Sequence, residues 1–435
     1  MAEAPYERRS CPGQMFNYHR AIGWICALAL GLRLAAIPFK GPADDNLFEY
    51  GQIAWNIVQG HGFSWDFDGR FPLQPTAYSP ALYCYTLVPW FAVFGLNLTG
   101  PRIMHAILLA AVCWFIYRIG ERLANPRVGL MAACIWAVYP EMIFLSLRIA
   151  PENAMFLPMT WMLLKAQDAG VGARLASPAH PGKSAFTCGI LTGIACWVNP
   201  SLQILGAIVP VHWRIQGWLN GREGLRRLVL FVLGAVIVIA PWTIRNYIRL
   251  GALVPLRTAF AYNVWRGNHV GATGTIRNFE GRNLDETLPR DYAEYIEAHM
   301  VPDEVQRDRF FAAEVGKFIV EHPGSYLRLC AARLWFYGWR DPTHPLTASI
   351  WYLGPWLLLL ILAIMGLVSI RRDGRKWSLW LLQIAGFTLL FSLTVVVPRY
   401  RMPLYPAMFL LAAMGVNALV RGFQRNKKVG QRLLA

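Results

Sequence analysis

Runs of Leu, Ile, Val and Ala, each close to the length of a bilayer-crossing helix, recur along this chain and restrict it to one class of fold. In hydrocarbon every backbone N–H and C=O must be bonded within the protein. Such runs therefore become helices, about 20 residues being needed to cross. Of the 435 residues, 55% are hydrophobic and only 15% are charged. The chain reads as an all-α, polytopic helical membrane protein.

The net charge of +17 would suit nucleic acid, but the basic residues fall in short clusters between apolar runs. Arg118, Arg122 and Arg127 form one such cluster, Arg214, Arg222, Arg226 and Arg227 another, and Arg371, Arg372, Arg375 and Lys376 a third. Lys and Arg in short loops stay on the cytoplasmic side, so these clusters orient spans. No nucleic-acid partner is expected; membrane lipid is. With the clusters inside, spans thread at residues 21–39, 102–119, 128–147, 153–169, 184–198, 202–215, 228–242, 349–370, 377–397 and 404–420. That makes about ten, with both termini cytoplasmic. Residues 81–96 are apolar enough to span, but counting them puts Arg118, Arg122 and Arg127 on the wrong side. They are read as a helix in the outer interface, a true span being the alternative. The first run contains Arg33 and no small-x-small cleavage site follows it, so it reads as a retained anchor. The eight cysteines show no CxxC pair and no Cys/His ligand spacing, which points to neither a disulfide framework nor a zinc site.

Three regions follow. Residues 1–242 form an N-terminal membrane module with a first outer loop at 40–101. Residues 243–345 form an extracytoplasmic loop, and 346–435 hold the last spans and a basic cytoplasmic tail. Within the long loop Val305, Phe310-Phe311, Val315 and Phe318-Ile319 recur at helical spacing, between Asp303-Glu304 and His322-Pro323-Gly324. This predicts a capped amphipathic helix lying on the membrane surface, with no catalytic part.

Four polar stretches stand out against the apolar background. The first is Asp44-Asp45-Asn46-Leu47-Phe48-Glu49-Tyr50, directly behind the first span. Two readings are open: one Asp simply caps the following helical pattern, or one acts as a general base on an acceptor hydroxyl or amine, a capping Asp being placed to do both and Glu49, a turn from Asp45, to share the site. The second is Glu152 in Pro151-Glu152-Asn153, at a helix start that favours a carboxylate. The third is Pro241-Trp242-Thr243-Ile244-Arg245-Asn246-Tyr247, continuing to Tyr262-Asn263-Val264-Trp265-Arg266. The fourth is Pro398-Arg399-Tyr400-Arg401-Met402-Pro403. Arginines in the last two lie outside against the topological bias. They either snorkel to headgroups or bind a lipid-attached phosphate, which the planar guanidinium grips bidentately.

With Gly60-His61-Gly62-Phe63-Ser64, Tyr78-Ser79-Pro80-Ala81-Leu82-Tyr83 and His322-Pro323, these stretches in this order resemble the polyprenyl-phosphate-sugar-dependent glycosyltransferases of the GT-C superfamily. The likeness is to the family 39-like group, which includes protein O-mannosyltransferases and the lipid A aminoarabinose transferase. It implies an inverting single displacement on the extracytoplasmic face of a bacterial inner membrane. Asp45 or Asp44 with Glu49 would be catalytic, Glu152 a second acidic group, and Arg245, Arg399, Arg401, Tyr78, Asn246 and Tyr262 the donor-binding set. The partners implied are a polyprenyl-phosphate-linked sugar and a glycan, lipid or protein acceptor. No cofactor is called for, although a divalent cation is compatible with Asp45 and Glu152. The Ala77-Tyr78-Ser79-Pro80 step departs from the Glu-Lys pair of the aminoarabinose transferase pattern and disfavours that substrate. The alternatives are a secondary transporter, which should show inverted repeats and broken midplane helices, and an O-antigen ligase or polymerase built on Arg257, Arg266, His269 and Arg277.

Overall fold

The computed structural model describes residues 12–40, 46–175 and 181–433. The expected apolar runs are helical. In chain order the helices are α1 (Pro12–Ala36), α2 (Phe48–Val58), α3 (Ala81–Phe94), α4 (Thr99–Leu123), α5 (Pro126–Val138), α6 (Pro140–Leu145), α7 (Glu152–Leu175), α8 (Pro181–Val198), α9 (Leu205–Gln216) and α10 (Gly221–Leu250). After these come α11 (Phe260–Arg266), α12 (Arg290–Ala298), α13 (Glu304–Glu321), α14 (Pro323–Gly338), α15 (Ile350–Ser369), α16 (Gly374–Leu393) and α17 (Tyr405–Leu433). Two short antiparallel strands, β1 (Ser64–Trp65) and β2 (Gln74–Pro75), pin the loop between α2 and α3. Among the described residues six helices (α1, α4, α10, α15, α16 and α17) are long and apolar enough to cross a membrane. The protein is an all-α, multi-pass membrane protein.

Of the remaining predicted spans, 153–169 and 184–198 lie within the continuous helices α7 and α8, and 202–215 within the shorter α9. The run at 128–147 divides into α5 and α6 because Pro140 lacks an N–H and forces Tyr139 into extended backbone (φ −66°, ψ 120°). The break frees the last carbonyls of α5. Arg33, fully buried in α1, donates Nη1 to Ala137 O at 3.2 Å and Nη2 to Trp136 O at 3.4 Å. Helix α3 has 14 residues, about 21 Å of rise, against the roughly 30 Å of a hydrocarbon core. Its length suits an interfacial helix, and it packs on α2 and α8. The boundary drawn at residue 242 falls inside α10, which continues to Leu250 and stops at Gly251 with φ +66°.

Helix α13 forms as expected, with Asp303 Oδ1 accepting from Val305 N at 2.9 Å and Gln306 N at 3.1 Å. Its apolar side, however, joins a small core of Ala261, Trp265, Ile296 and Phe311 with α11 and α12. Its first turn grips the loop between α2 and α3. Glu304 accepts from Thr76 Oγ1 and Ala77 N, both at 2.6 Å.

Two pairs of helices meet through glycine. A Cβ on Gly366 of α15 would lie 1.8 Å from Leu411 O of α17, and one on Gly189 of α8 would lie 2.0 Å from Phe231 O of α10. Backbone contact of this kind is how helices associate in lipid, where burial from water gives no drive. Gly366→Ala should force α15 and α17 apart and cost about 2 kcal/mol, seen as a lower melting temperature of the detergent-solubilised protein.

Candidate active site

The broken helix ends and the connecting loops converge on a cavity of about 770 Å³. Glu49 and Tyr50 of α2, Tyr78, and Glu152 at the start of α7 line one side. Arg257, Asn263 and Arg266 from the loop and helix after α10 line another, with Arg399 and Tyr400 between α16 and α17. Two carboxylates and three guanidinium groups therefore share one chamber.

Each group is held by identifiable chemistry. Asn46 Oδ1 accepts from Phe48 N at 2.7 Å, and Phe48 takes φ +49°, a conformation that a bulky side chain rarely adopts. This kink starts α2 and brings Glu49 and Tyr50 to the cavity wall. A second non-glycine residue with positive φ, Ala259 (+68°), precedes α11 and its Arg266. Strained backbone of this kind persists only where its surroundings hold it, and it clusters at functional sites.

Glu152 is nearly buried, with 8% of its side chain exposed against 41% for Arg399. Its Oε1 lies 3.9 Å from Arg399 Nε. Its buried Oε2 has no hydrogen-bond donor among the described residues. Arg399 thus pairs loosely with one carboxylate and keeps much of its fork open to the chamber. Asn153 Nδ2 bonds Arg148 O at 2.9 Å and Ala150 O at 3.2 Å, fixing the turn that carries Glu152.

Tyr78 packs 4.8 Å from the rings of both Trp65 and Phe67. Burial first, then the neighbouring Glu49, push the Tyr50 and Tyr78 phenols above their usual range, with nearby arginines opposing. Both therefore act as neutral hydroxyls.

Asp44 and Asp45 lie outside the described residues. Of the other predicted site residues, Glu49, Glu152, Tyr78 and Arg399 line the cavity. Arg245, Asn246 and Arg401 do not, because backbone carbonyls occupy them. Arg245 donates to Thr76 O at 2.6 Å and Phe63 O at 2.9 Å, with its guanidinium 4.8 Å from the Trp242 ring. Arg401, 2% exposed, donates to Phe336 O at 2.6 Å and Trp339 O at 3.1 Å. Asn246 bonds Val254 O at 2.9 Å, Thr243 bonds Pro255 O at 3.1 Å and Trp242 bonds Leu256 O at 2.6 Å. The Pro241–Tyr247 motif thus grips three successive carbonyls of the loop that presents Arg257. Tyr262 stands behind the lining, its ring 5.7 Å from the Arg266 guanidinium.

The sequence offered Arg266 in the third polar stretch and Arg257 only in the ligase or polymerase alternative, and the wall at Asn199, Ser201 and Gln203 was missed. The available signal for that wall was the Asn199-Pro200-Ser201 break between two apolar runs. Asn199 Oδ1 there accepts from Ser201 N at 3.1 Å and starts a 3-10 turn. No group of three or more His, Cys, Asp or Glu side chains among the described residues is placed to hold a metal ion.

The comparisons agree with this architecture. The family model for dolichyl-phosphate-mannose-protein mannosyltransferase matches residues 79–199, the stretch from Ser79 through Glu152 to the Asn199 wall. The archaeal oligosaccharyltransferase AglB from Archaeoglobus fulgidus, solved with an inhibitory peptide and a dolichol-phosphate, superimposes with a TM-score of 0.56 at 11% identity over 97% of this chain. ArnT from Cupriavidus metallidurans bound to undecaprenyl phosphate superimposes with a TM-score of 0.51 at 14% identity over 95% of it. This chain shares its fold with both of these proteins. This chain covers 52% of the AglB chain and 63% of the ArnT chain. No curated sequence matches it at a significant level.

The clamp on Thr76 and Ala77 sets the position of Tyr78. Burial, the largest influence, raises the Glu304 carboxyl above its ordinary range, and its hydrogen bonds oppose that shift. Glu304→Ala leaves two buried donors unpaired and should cost about 2–3 kcal/mol, with a corresponding fall in thermal stability. Glu304→Gln, which keeps an acceptor oxygen, should recover at least half of that loss.

Proposed function

We propose that this protein is an integral-membrane glycosyltransferase that moves a sugar from a polyprenyl-phosphate donor to an acceptor nucleophile. The observation that carries the reading is the single chamber in which Arg257, Arg266 and Arg399 face Glu49 and Glu152. Three guanidinium groups suit a phosphate whose charge grows as the glycosidic C–O bond breaks. Relatives of the same fold have been solved with dolichol-phosphate and with undecaprenyl phosphate, which supports a donor of that class.

In the proposed reaction a carboxylate takes the proton of the acceptor hydroxyl or amine. The acceptor oxygen or nitrogen attacks the anomeric carbon, and the polyprenyl phosphate leaves with the bonding electron pair. One displacement inverts the anomeric centre. The base is Asp45 or Asp44, directly before Asn46, with Glu49 assisting. Glu152, paired loosely with Arg399, orients that guanidinium toward the leaving phosphate. The Lys and Arg clusters between spans support cytoplasmic termini and an extracytoplasmic reaction, and residence in a bacterial inner membrane is what the resemblance implies.

Transfer from a panel of labelled polyprenyl-phosphate sugars by the purified protein tests this reading. Arg399→Gln should lower kcat about 100-fold, the usual loss when one donor to a developing oxyanion is removed. Asp45→Asn or Asp44→Asn should abolish transfer while leaving donor binding intact. Wild-type protein that transfers no sugar from any donor would overturn the proposal.

A further inference from the structure

One stretch of the chamber wall has no part in the reaction proposed above. Asn199, Ser201 and Gln203, in and just before the 3-10 turn Pro200–Ile204 that joins α8 to α9, line the cavity without contributing a charge. Polar side chains at a break between two apolar helices are costly unless they are bonded. Part of that cost is met locally. Asn199 Oδ1 accepts from Ser201 N at 3.1 Å and from Ser201 Oγ at 2.9 Å, which caps the turn. Capping uses the oxygen alone. Asn199 Nδ2 donates instead to Met155 Sδ at 3.4 Å, a weak thioether acceptor. Gln203 lies beyond the cap and is exposed where it lines the cavity.

This neutral wall stands close to the charged end of the chamber. Met155 is itself a lining residue, three positions along α7 from Glu152, which is about 4.5 Å of helical rise. Glu152 pairs with Arg399, the guanidinium assigned to the leaving phosphate. A donor sugar is joined to its phosphate through one oxygen, so its ring must lie beside the group that holds the phosphate. Phe391, stacked 4.6 Å from Tyr400, lines the same chamber. A sugar ring has hydroxylated edges and apolar C–H faces; amides and a hydroxyl match the first, aromatic rings the second. An isoprenoid chain would leave the amides unbonded, and an anion would be drawn to the guanidinium groups instead.

We infer that Asn199, Ser201 and Gln203 bond hydroxyl groups of the transferred sugar and so decide which polyprenyl-phosphate donor the protein accepts. The inference rests on the glycosyltransferase reading and gives it a specificity wall. A carboxamide offers donors and an acceptor together, as a pair of neighbouring hydroxyls requires. A site built to bond a hydroxyl rejects the analogue that lacks it, because its own polar groups are then left unpaired.

The experiment measures binding of the purified protein to undecaprenyl phosphate and to undecaprenyl-phosphate-linked mannose, glucose, galactose and arabinose. Chain and phosphate are common to all five, so the affinity ratio of sugar-linked to bare lipid isolates the sugar. For the sugar bound most tightly, that ratio should fall about fivefold or more in Gln203→Met and in Asn199→Ser. Methionine keeps the length of the Gln203 side chain, and serine keeps a capping oxygen at position 199. Unchanged affinity for bare undecaprenyl phosphate reports that the variants are folded. Deoxy analogues of the same sugar give a second readout. Loss of the hydroxyl that Gln203 bonds should weaken binding to wild type and leave Gln203→Met unaffected. Equal losses for bare and sugar-linked lipid in both variants, or deoxy losses that add to the Gln203→Met loss at every position, overturn the inference. The ratio is read without turnover, so a protein that keeps this selectivity but transfers no sugar refutes only the glycosyltransferase reading.

Discussion

Carbonyls released where a helix stops away from water must find donors, and in this protein buried guanidinium groups supply them. Arg33 serves the last turn of α5, Arg401 the end of α14, and Arg333 the end of α16 through Ser392 O at 3.1 Å. Arg333, wholly buried, also reaches Gly267 O at 2.8 Å and Gly274 O at 3.2 Å and so ties the loop after α11 to the membrane helices. An unsatisfied backbone group in a low-dielectric interior costs several kcal/mol, and arginine's five fixed donors can answer several carbonyls at once. Aromatic faces carry part of the buried charge, as where the Arg401 guanidinium lies 4.4 Å from the Trp356 ring.

Those stops are also where the chemistry gathers. Arg399 sits two residues from Arg401, in the 3-10 segment between α16 and α17, and its fork opens to the chamber because its neighbour secures the backbone. Arg257 is presented by a loop whose carbonyls are held by Trp242, Thr243 and Asn246. Glu152 opens α7 just behind the α6 turn. The arginines at these stops therefore divide by environment into those that bond carbonyls and those that face a cavity.

The first outer loop joins the two kinds of order. Its inner end is clamped by Arg245 from α10 and Glu304 from α13, and its outer end begins α2 through the kink at Phe48. Helix α13, read from sequence as a surface element without a catalytic part, thus has a positioning role through Glu304. Periodicity reported its amphipathic face, but its positioning role comes from a polar contact 228 residues away in sequence (Thr76 to Glu304).

Hydropathy and charge clusters were enough to determine the membrane class, the order of the helices, the amphipathic helix with its Asp303 cap, and the four stretches from which the cavity is built. These are local properties, because helix formation in lipid depends on runs of side chains and breaks on proline and glycine. Which arginine does what was not local. Arg245 and Arg401 read as phosphate ligands because they stand beside polar motifs, yet each is taken up by carbonyls from other elements. Arg257 and Arg266 carried no stronger signal, yet both line the chamber. Tertiary structure decided these assignments, because a guanidinium group bonds whichever acceptors the fold brings within about 3 Å, and sequence neighbours do not specify those.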